Sequence, residues 1–230
     1  MKRLITILLA LTFLIAIVPA AQAYQIKTYR IDGYSFDRAG EFSVLPIDFA
    51  SVLDNYSSNA IYQGAKYQYF QSFCVQKGES ITTNVLYNAS ISDATIAGDE
   101  QLSLGAAFLY NRFARGILAG YDYADIDPTA AIGGREASAG ALQNALWYLM
   151  GQGALSTGAG FVALADSMIE EDIFAASEGK YGVHILNIFG LDGSNKQDML
   201  IYDPVPEPAT MLLLGFGLIG LAGIRRKTSK

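Results

Sequence analysis

The chain has 230 residues, with 16 Lys and Arg against 22 Asp and Glu and a formal net charge of −6. So acidic a balance argues against nucleic acid and anionic lipid as partners, since both repel it. A single cysteine excludes any disulfide within the chain.

The first element is a leader. Lys2 and Arg3 precede an apolar run from Leu4 to Val18, and PAAQA follows with Ala21 and Ala23 as small cleavage-site residues. The pattern predicts a secretory signal peptide over 1–23, so that the mature chain begins near Tyr24. Setting aside the six basic residues of the two ends leaves ten against 22 acidic ones, which makes the exported core more acidic still. Its length suits one domain with a sizeable core.

Strand character comes next, with candidates at Tyr24–Ile31, Glu41–Leu45, Tyr67–Val75 and Ser80–Tyr87. Lys77-Gly78-Glu79 is placed to turn between the last two. Leu102, Ala106, Leu109, Phe113 and Ile117 recur every three or four residues, which predicts an amphipathic helix over 101–118. A second helix is expected at 136–150 with Ser138 at its cap, and a third at 160–178 with Phe161, Leu164, Ala165 and Met168 on one face. Val183–Phe189 and Gln197–Tyr202 return to strands around the Asp-Gly turn of LDGSN. The outline is α+β: an antiparallel β barrel or sandwich with a helical insertion at about 101–178. A signal peptide and a C-terminal hydrophobic sorting helix flank it.

At the far end, Pro206-Glu207-Pro208 precedes an uncharged stretch of 16 residues from Ala209 to Ile224, and Arg225, Arg226 and Lys227 follow. Sixteen residues are marginal for a full span but can hold in a bilayer temporarily. The basic cluster sets the tail in the cytoplasm. Residues 205–230 resemble the PEP-CTERM signal of Gram-negative bacteria. That resemblance implies processing by an exosortase-type protease and delivery to the cell surface or an extracellular polysaccharide matrix. Gly215, Gly217 and Gly220 fit a dinucleotide fingerprint by spacing alone, and the chain ends too soon after them for the acidic residue such a site needs.

Two residues of the core stand out. Cys74 is an unpaired thiol in an exported chain, where cysteines usually pair. It can be a buried small hydrophobe, a catalytic thiolate, or a sulfur already used in another covalent bond. Gln143 is an amide in the mostly apolar ALQNALWYL, one helical turn before Trp147, the only tryptophan. A thiol can attack a side-chain carboxamide, expel ammonia and leave a thioester, if the fold holds the atoms together, supplies oxyanion donors and excludes water. Phe73 and Trp147 are suited to that shielding.

Phe73-Cys74-Val75, followed 69 residues later by Gln143-Asn144-Ala145-Leu146-Trp147, resembles the Cys–Gln thioester domains of bacterial surface adhesins. Leu142 stands where that family usually has Thr. The resemblance implies a thioester-type domain over 24–204 and a bond between Cys74 and Gln143. It also implies single-turnover attachment to a partner's lysine amine or sugar hydroxyl, with no cofactor and no metal.

Two other readings remain open. One is a non-covalent structural or polysaccharide-binding matrix protein with an inert cysteine. The other is a cysteine-dependent acyl-transfer enzyme, in which Cys74, His184 and Asp192 or Asp198 supply the nucleophilic order. Asp122, Asp125, Asp127 and Glu136 form an acidic loop whose spacing does not match an EF-hand, and it reads as a solvated loop.

Overall fold

A computed structural model describes residues 24–30, 34–36, 39–48, 58–62, 65–96, 100–123 and 134–202. The predicted leader (1–23) and sorting segment (205–230) lie outside them. Nine strands are assigned among the described residues: β1 (Tyr24–Tyr29), β2 (Ser35–Phe36), β3 (Ala39–Gly40), β4 (Phe42–Pro46), β5 (Ser58–Tyr62), β6 (Ala65–Ser72), β7 (Leu86–Ser92), β8 (Val183–Phe189) and β9 (Met199–Tyr202). Three α-helices separate β7 from β8: α1 (Leu104–Ala114), α2 (Arg135–Leu149) and α3 (Ala159–Met168). The α+β outline with inserted helices is therefore present.

Seven strands form one antiparallel sheet in the order β5-β6-β4-β1-β7-β8-β9, and β2 pairs with β3 separately. The sheet curls into a half-barrel. It is neither a sandwich nor a fully laddered barrel, because its two sides meet at one short seam. There Cys74 bridges Met199, Leu200 N donates to Phe73 O (3.0 Å), and Val75 N donates to Asp198 O (2.9 Å). Ser72 Oγ adds a bond to Leu200 O at 2.5 Å.

Strand alternation sorts the side chains into two apolar clusters. Ile26, Val44, Phe70, Cys74, Tyr87, Leu186 and Met199 belong to one, fed by six strands and hence on the concave face. Phe73, Val75, Val183, Ile185 and Leu200 face the other way and pack with the helices. Helix α1 is apolar on nearly every side and correspondingly buried from Leu104 to Asn111. Ser103 caps it, accepting from Ala106 N at 3.3 Å.

Helix α2 is tied to the sheet by a buried ion pair. The Arg135 guanidinium binds both carboxylate oxygens of Glu41, with Nε donating to Oε2 at 2.8 Å. Tyr121 Oη donates to the same Oε2 at 2.7 Å. Glu41 is fully buried between β3 and β4, so its charge is compatible with the interior only because these donors surround it.

Four expectations from sequence need correction. Residues 80–85 are not a strand, and Lys77-Gly78-Glu79 does not join a hairpin. Tyr87 Oη both accepts from Thr82 N and donates to Thr82 O (3.0 Å each), and Asn84 turns with φ 59°. The strand that follows, β7, pairs with β1 and β8 instead of β6. The third helix stops at Met168, since Ile169 is extended and the chain then returns to α1, with Ile173 O accepting from Gly105 N at 2.8 Å. Met168 is consequently 54% exposed and not on the packed face. Ser138 lies inside α2, whose cap position is Gly134, and its Oγ accepts from Asp122 N at 3.1 Å.

Replacing Glu41 with Ala strands the Arg135 charge in the interior. Urea denaturation is expected to show a loss of about 3–5 kcal/mol, as for other broken buried pairs. A loss below about 1 kcal/mol would show that the pair does not anchor α2.

Candidate functional site

Strand β6 loses its partner β4 at Ser72, the last paired residue, while the seam to β9 continues for three residues more. In an antiparallel strand the N–H and C=O of successive residues point to alternate edges. Phe73 O and Val75 N are used by β9, so the N–H and C=O of Cys74 point to the edge that β4 has vacated. Gln143 fills that place. Cys74 N donates to Gln143 Oε1 at 2.9 Å, and Gln143 Nε2 donates to Cys74 O at 2.8 Å. The amide acts as one more strand residue, supplied by a helix. Both residues are buried, Cys74 at 3% exposure and Gln143 at 1%.

The pair forms part of the wall of a cleft of about 700 Å³. Trp147 and Phe42 supply aromatic surface there. Arg30 stacks over Phe42 at 4.6 Å, and Lys77 Nζ lies 5.7 Å from the Trp147 ring centroid. Glu79 contributes a carboxyl, while Ser80, Asn144, Ser156 and Thr157 contribute neutral polar groups. Asn144, the residue after Gln143, holds the far wall. Its Oδ1 accepts from Ser156 N (2.8 Å) and Gly158 N (3.1 Å), and its Nδ2 donates to Ala154 O (3.2 Å). Gly158 is needed for this approach, since a Cβ there would lie 2.4 Å from Ala145 N.

Burial pushes the Cys74 thiol up to about 12 from an ordinary 9, and the nearby Arg30 guanidinium only partly opposes it. Glu79 is also held above its usual range, by burial first and then by the neighbouring charge of Asp198. Two buried polar atoms of the cleft residues, Trp147 Nε1 and Glu79 Oε2, have no hydrogen-bond partner among the described residues.

The residues singled out from sequence divide clearly. Cys74, Gln143 and Trp147 come together at the cleft, as a helix face opposed to a strand end. Phe73 lies beside Cys74 in sequence but on the opposite face, edge-on to Phe113 at 4.9 Å between centroids, and does not line the cleft. His184 is absent from the lining, and its Nδ1 lies 2.6 Å from Asp93 Oδ1. Asp198 is occupied by Ile188 N, Ile96 N and Asn187 Nδ2, and Asp192 by Ser194. The Cys-His-Asp order seen in sequence is therefore not assembled. Asp125 and Asp127 lie outside the described residues, and among those residues no group of three His, Cys, Asp or Glu is placed to hold a metal. Sequence reasoning missed Arg30, Lys77, Glu79 and Asn144. Asn144 was adjacent to a marked residue, whereas Lys77 and Glu79 had been assigned to a turn.

Residues 204–227 match the PEP-CTERM protein-sorting motif. The chain carries an exosortase sorting tail. It is an exported protein that passes through a membrane-anchored intermediate. No curated protein and no solved structure matches the chain. The sorting motif Pro206-Glu207-Pro208, the apolar stretch 209–224 and the cluster Arg225, Arg226 and Lys227 lie outside the described residues. Among those residues no helix is long and apolar enough to cross a membrane.

Replacing Gln143 with Leu leaves the Cys74 N–H and C=O buried without partners, at an expected cost of about 2–4 kcal/mol in urea denaturation. In that variant the free thiol should label with iodoacetamide at a rate rising about tenfold per pH unit up to about pH 12. Rapid labelling at neutral pH would contradict the burial of the thiol.

Proposed function

We propose that Cys74 and Gln143 condense to an internal thioester, and that residues 24–204 form an exported domain that bonds covalently to a nucleophile on a partner. The observation carrying this reading is the reciprocal pair of hydrogen bonds between the Gln143 amide and the Cys74 main chain. That contact keeps a carboxamide against the residue whose sulfur must attack it, which converts a very slow bimolecular reaction into a positioned one.

The chemistry is balanced within the pair. The sulfur forms a bond to the Gln143 side-chain carbonyl carbon, and the thiol proton passes to Nε2. The carbon–nitrogen bond then breaks and ammonia leaves. Cys74 N–H already donates to Oε1, the oxygen on which negative charge develops, so an oxyanion donor is in place beforehand. A thiol pushed up to about 12 supplies little free thiolate near neutrality, and this route needs none at equilibrium, because sulfur attack and proton transfer are coupled. When a partner nucleophile arrives, it bonds to the same carbon. The carbon–sulfur bond breaks, and the nucleophile's proton goes to the Cys74 sulfur. The event occurs once per molecule, so the domain is a covalent binder and not a turnover enzyme. Together with the sorting tail, this supports display at the cell surface or in an extracellular matrix, reached through an exosortase.

A second reading draws on the same two bonds, which also satisfy a strand end that needs partners. On that reading Gln143 is structural and Cys74 is inert. Intact mass of the purified core separates the two. The thioester form should be lighter by one ammonia, and methylamine should add to it while exposing a titratable thiol. Cys74→Ala and Gln143→Ala should each abolish the mass loss, and His184→Ala should leave it. An unmodified mass with one intact buried thiol would establish the inert reading.

A further inference from the structure

We propose that the end of the sheet from which the sorting tail leaves rests on a zwitterionic lipid surface in the membrane-anchored intermediate, which leaves the cleft beside Cys74 and Gln143 at the far end of β9. Docking of this kind depends on the sorting tail and not on a thioester.

The tail's point of departure keeps this end near the bilayer. Strand β9 ends at Tyr202, which pairs with Val183, the first residue of β8. The uncharged stretch of the tail begins at Ala209, seven residues on. Seven residues reach at most about 25 Å even when fully extended. While that stretch is held in a membrane, Tyr202 and its neighbour Val183 are confined to a layer of about this depth. At so short a tether even a weak lipid contact is met at an effective concentration of order millimolar.

The side chains displayed there suit a headgroup layer. Residues 178–182 lead directly into Val183. Tyr181 has a left-handed φ of 64°, uncommon outside glycine, and Asn111 Nδ2 holds it by donating to Tyr181 O at 2.8 Å. Its ring stands edge-on to Phe108 at 5.5 Å, and the Arg112 guanidinium lies 4.7 Å from the centroid of the same Phe108 ring. One buried phenylalanine thus seats a phenol and a guanidinium side by side. Tyr181 is 39% exposed, and Ile117, whose N–H donates to Arg112 O at 2.9 Å, is 48% exposed. Tyr and Arg both pair an apolar body with a polar tip, which is the chemistry of a membrane interface. Net charge is not the attraction. Lys180 is already engaged by Glu171 at 2.7 Å, and so acidic a chain is repelled by anionic lipid. Uncharged headgroups are the surface that fits.

The same placement orients the domain. Along β9 the chain runs from the cleft toward the tail. Cys74 bridges Met199, and Gln197 Nε2, one residue pair further from Tyr202, donates to Gln76 O at 2.6 Å. Lys77, Glu79 and Gln197 of the cleft lining therefore lie beyond the end of β9 that the tail does not use. A domain seated on its tail end keeps the cleft open to partners outside the membrane.

Depth-dependent fluorescence quenching tests this. The tail-bearing chain, in a Cys74→Ala background, carries a bimane at Lys180→Cys, beside Tyr181, or at Leu191→Cys. Leu191 is 63% exposed and lies past the other end of β8, whose seven residues span about 20 Å. In phosphatidylcholine nanodiscs with a doxyl group high on the acyl chain, quenching at 180 should be at least about threefold that at 191, because interfacial burial extends only about 5–10 Å. Tyr181→Asn removes the ring but keeps a residue that tolerates the left-handed backbone, and should bring quenching at 180 down to the level at 191. Adding phosphatidylglycerol should not raise it. Equal quenching at the two positions, a Tyr181→Asn chain quenched as strongly as its parent, or a rise with phosphatidylglycerol overturns the proposal.

Discussion

The site depends on a strand edge that has lost its neighbour. Past Ser72 the chain is still held by β9 on one side, through Phe73 and Val75, but β4 no longer covers the other. The two main-chain polar groups of Cys74 are thus buried and directed at a gap. Leaving both unpaired would cost several kcal/mol, of order 1–3 for each group. Gln143 resolves this with the one side-chain type that presents a donor and an acceptor in amide geometry. The same need that makes the contact stable brings a carboxamide to a thiol-bearing residue.

Everything that places Gln143 follows from how α2 is held. At its N-terminal end the Arg135–Glu41 pair fixes the helix to the sheet, with Tyr121 sharing the carboxylate. Along its middle, Ala139, Leu142, Ala145, Leu146 and Leu149 pack into the helical cluster. Trp147, off that stripe, packs on the concave cluster that also contains Cys74. The helix therefore straddles the two cores, which is why a residue between its faces can reach the seam. Gly158 and Asn144 then bring the 154–158 segment against the helix and complete the cleft. The ion pair at the start of the helix is itself buried, so the helix position is sharply defined: moving Arg135 would leave the Glu41 carboxylate buried with fewer partners.

The sequence made the pairing of Cys74 with Gln143 legible because both residues violate local expectation. One is a lone thiol in an exported chain, and the other an amide on an apolar helix. The inserted helices and the strands at 24–29, 42–46 and 183–189 were legible from periodicity and β-branched or aromatic runs. What escaped was set by tertiary context. The 80–85 segment has strand composition, but Tyr87 folds it back by binding both polar groups of Thr82. The third helix pattern continued to 178 on paper, whereas residues 173–177 are claimed by the start of α1. Phe73 was assigned to shielding from its adjacency to Cys74, yet strand alternation sends neighbours to opposite faces. Lys77 and Glu79 looked like turn residues because nothing local shows that their side chains border a cleft built from six separate segments.

An unpaired thiol in an exported protein is exposed to oxidation in proportion to its thiolate fraction and its access. Here burial acts on both, holding the thiol to about 12 and leaving 3% of the residue exposed. An enzyme nucleophile would need the opposite environment, with a lowered value and a base alongside, and His184 lies instead against Asp93. Burial therefore disfavours a free thiolate at Cys74.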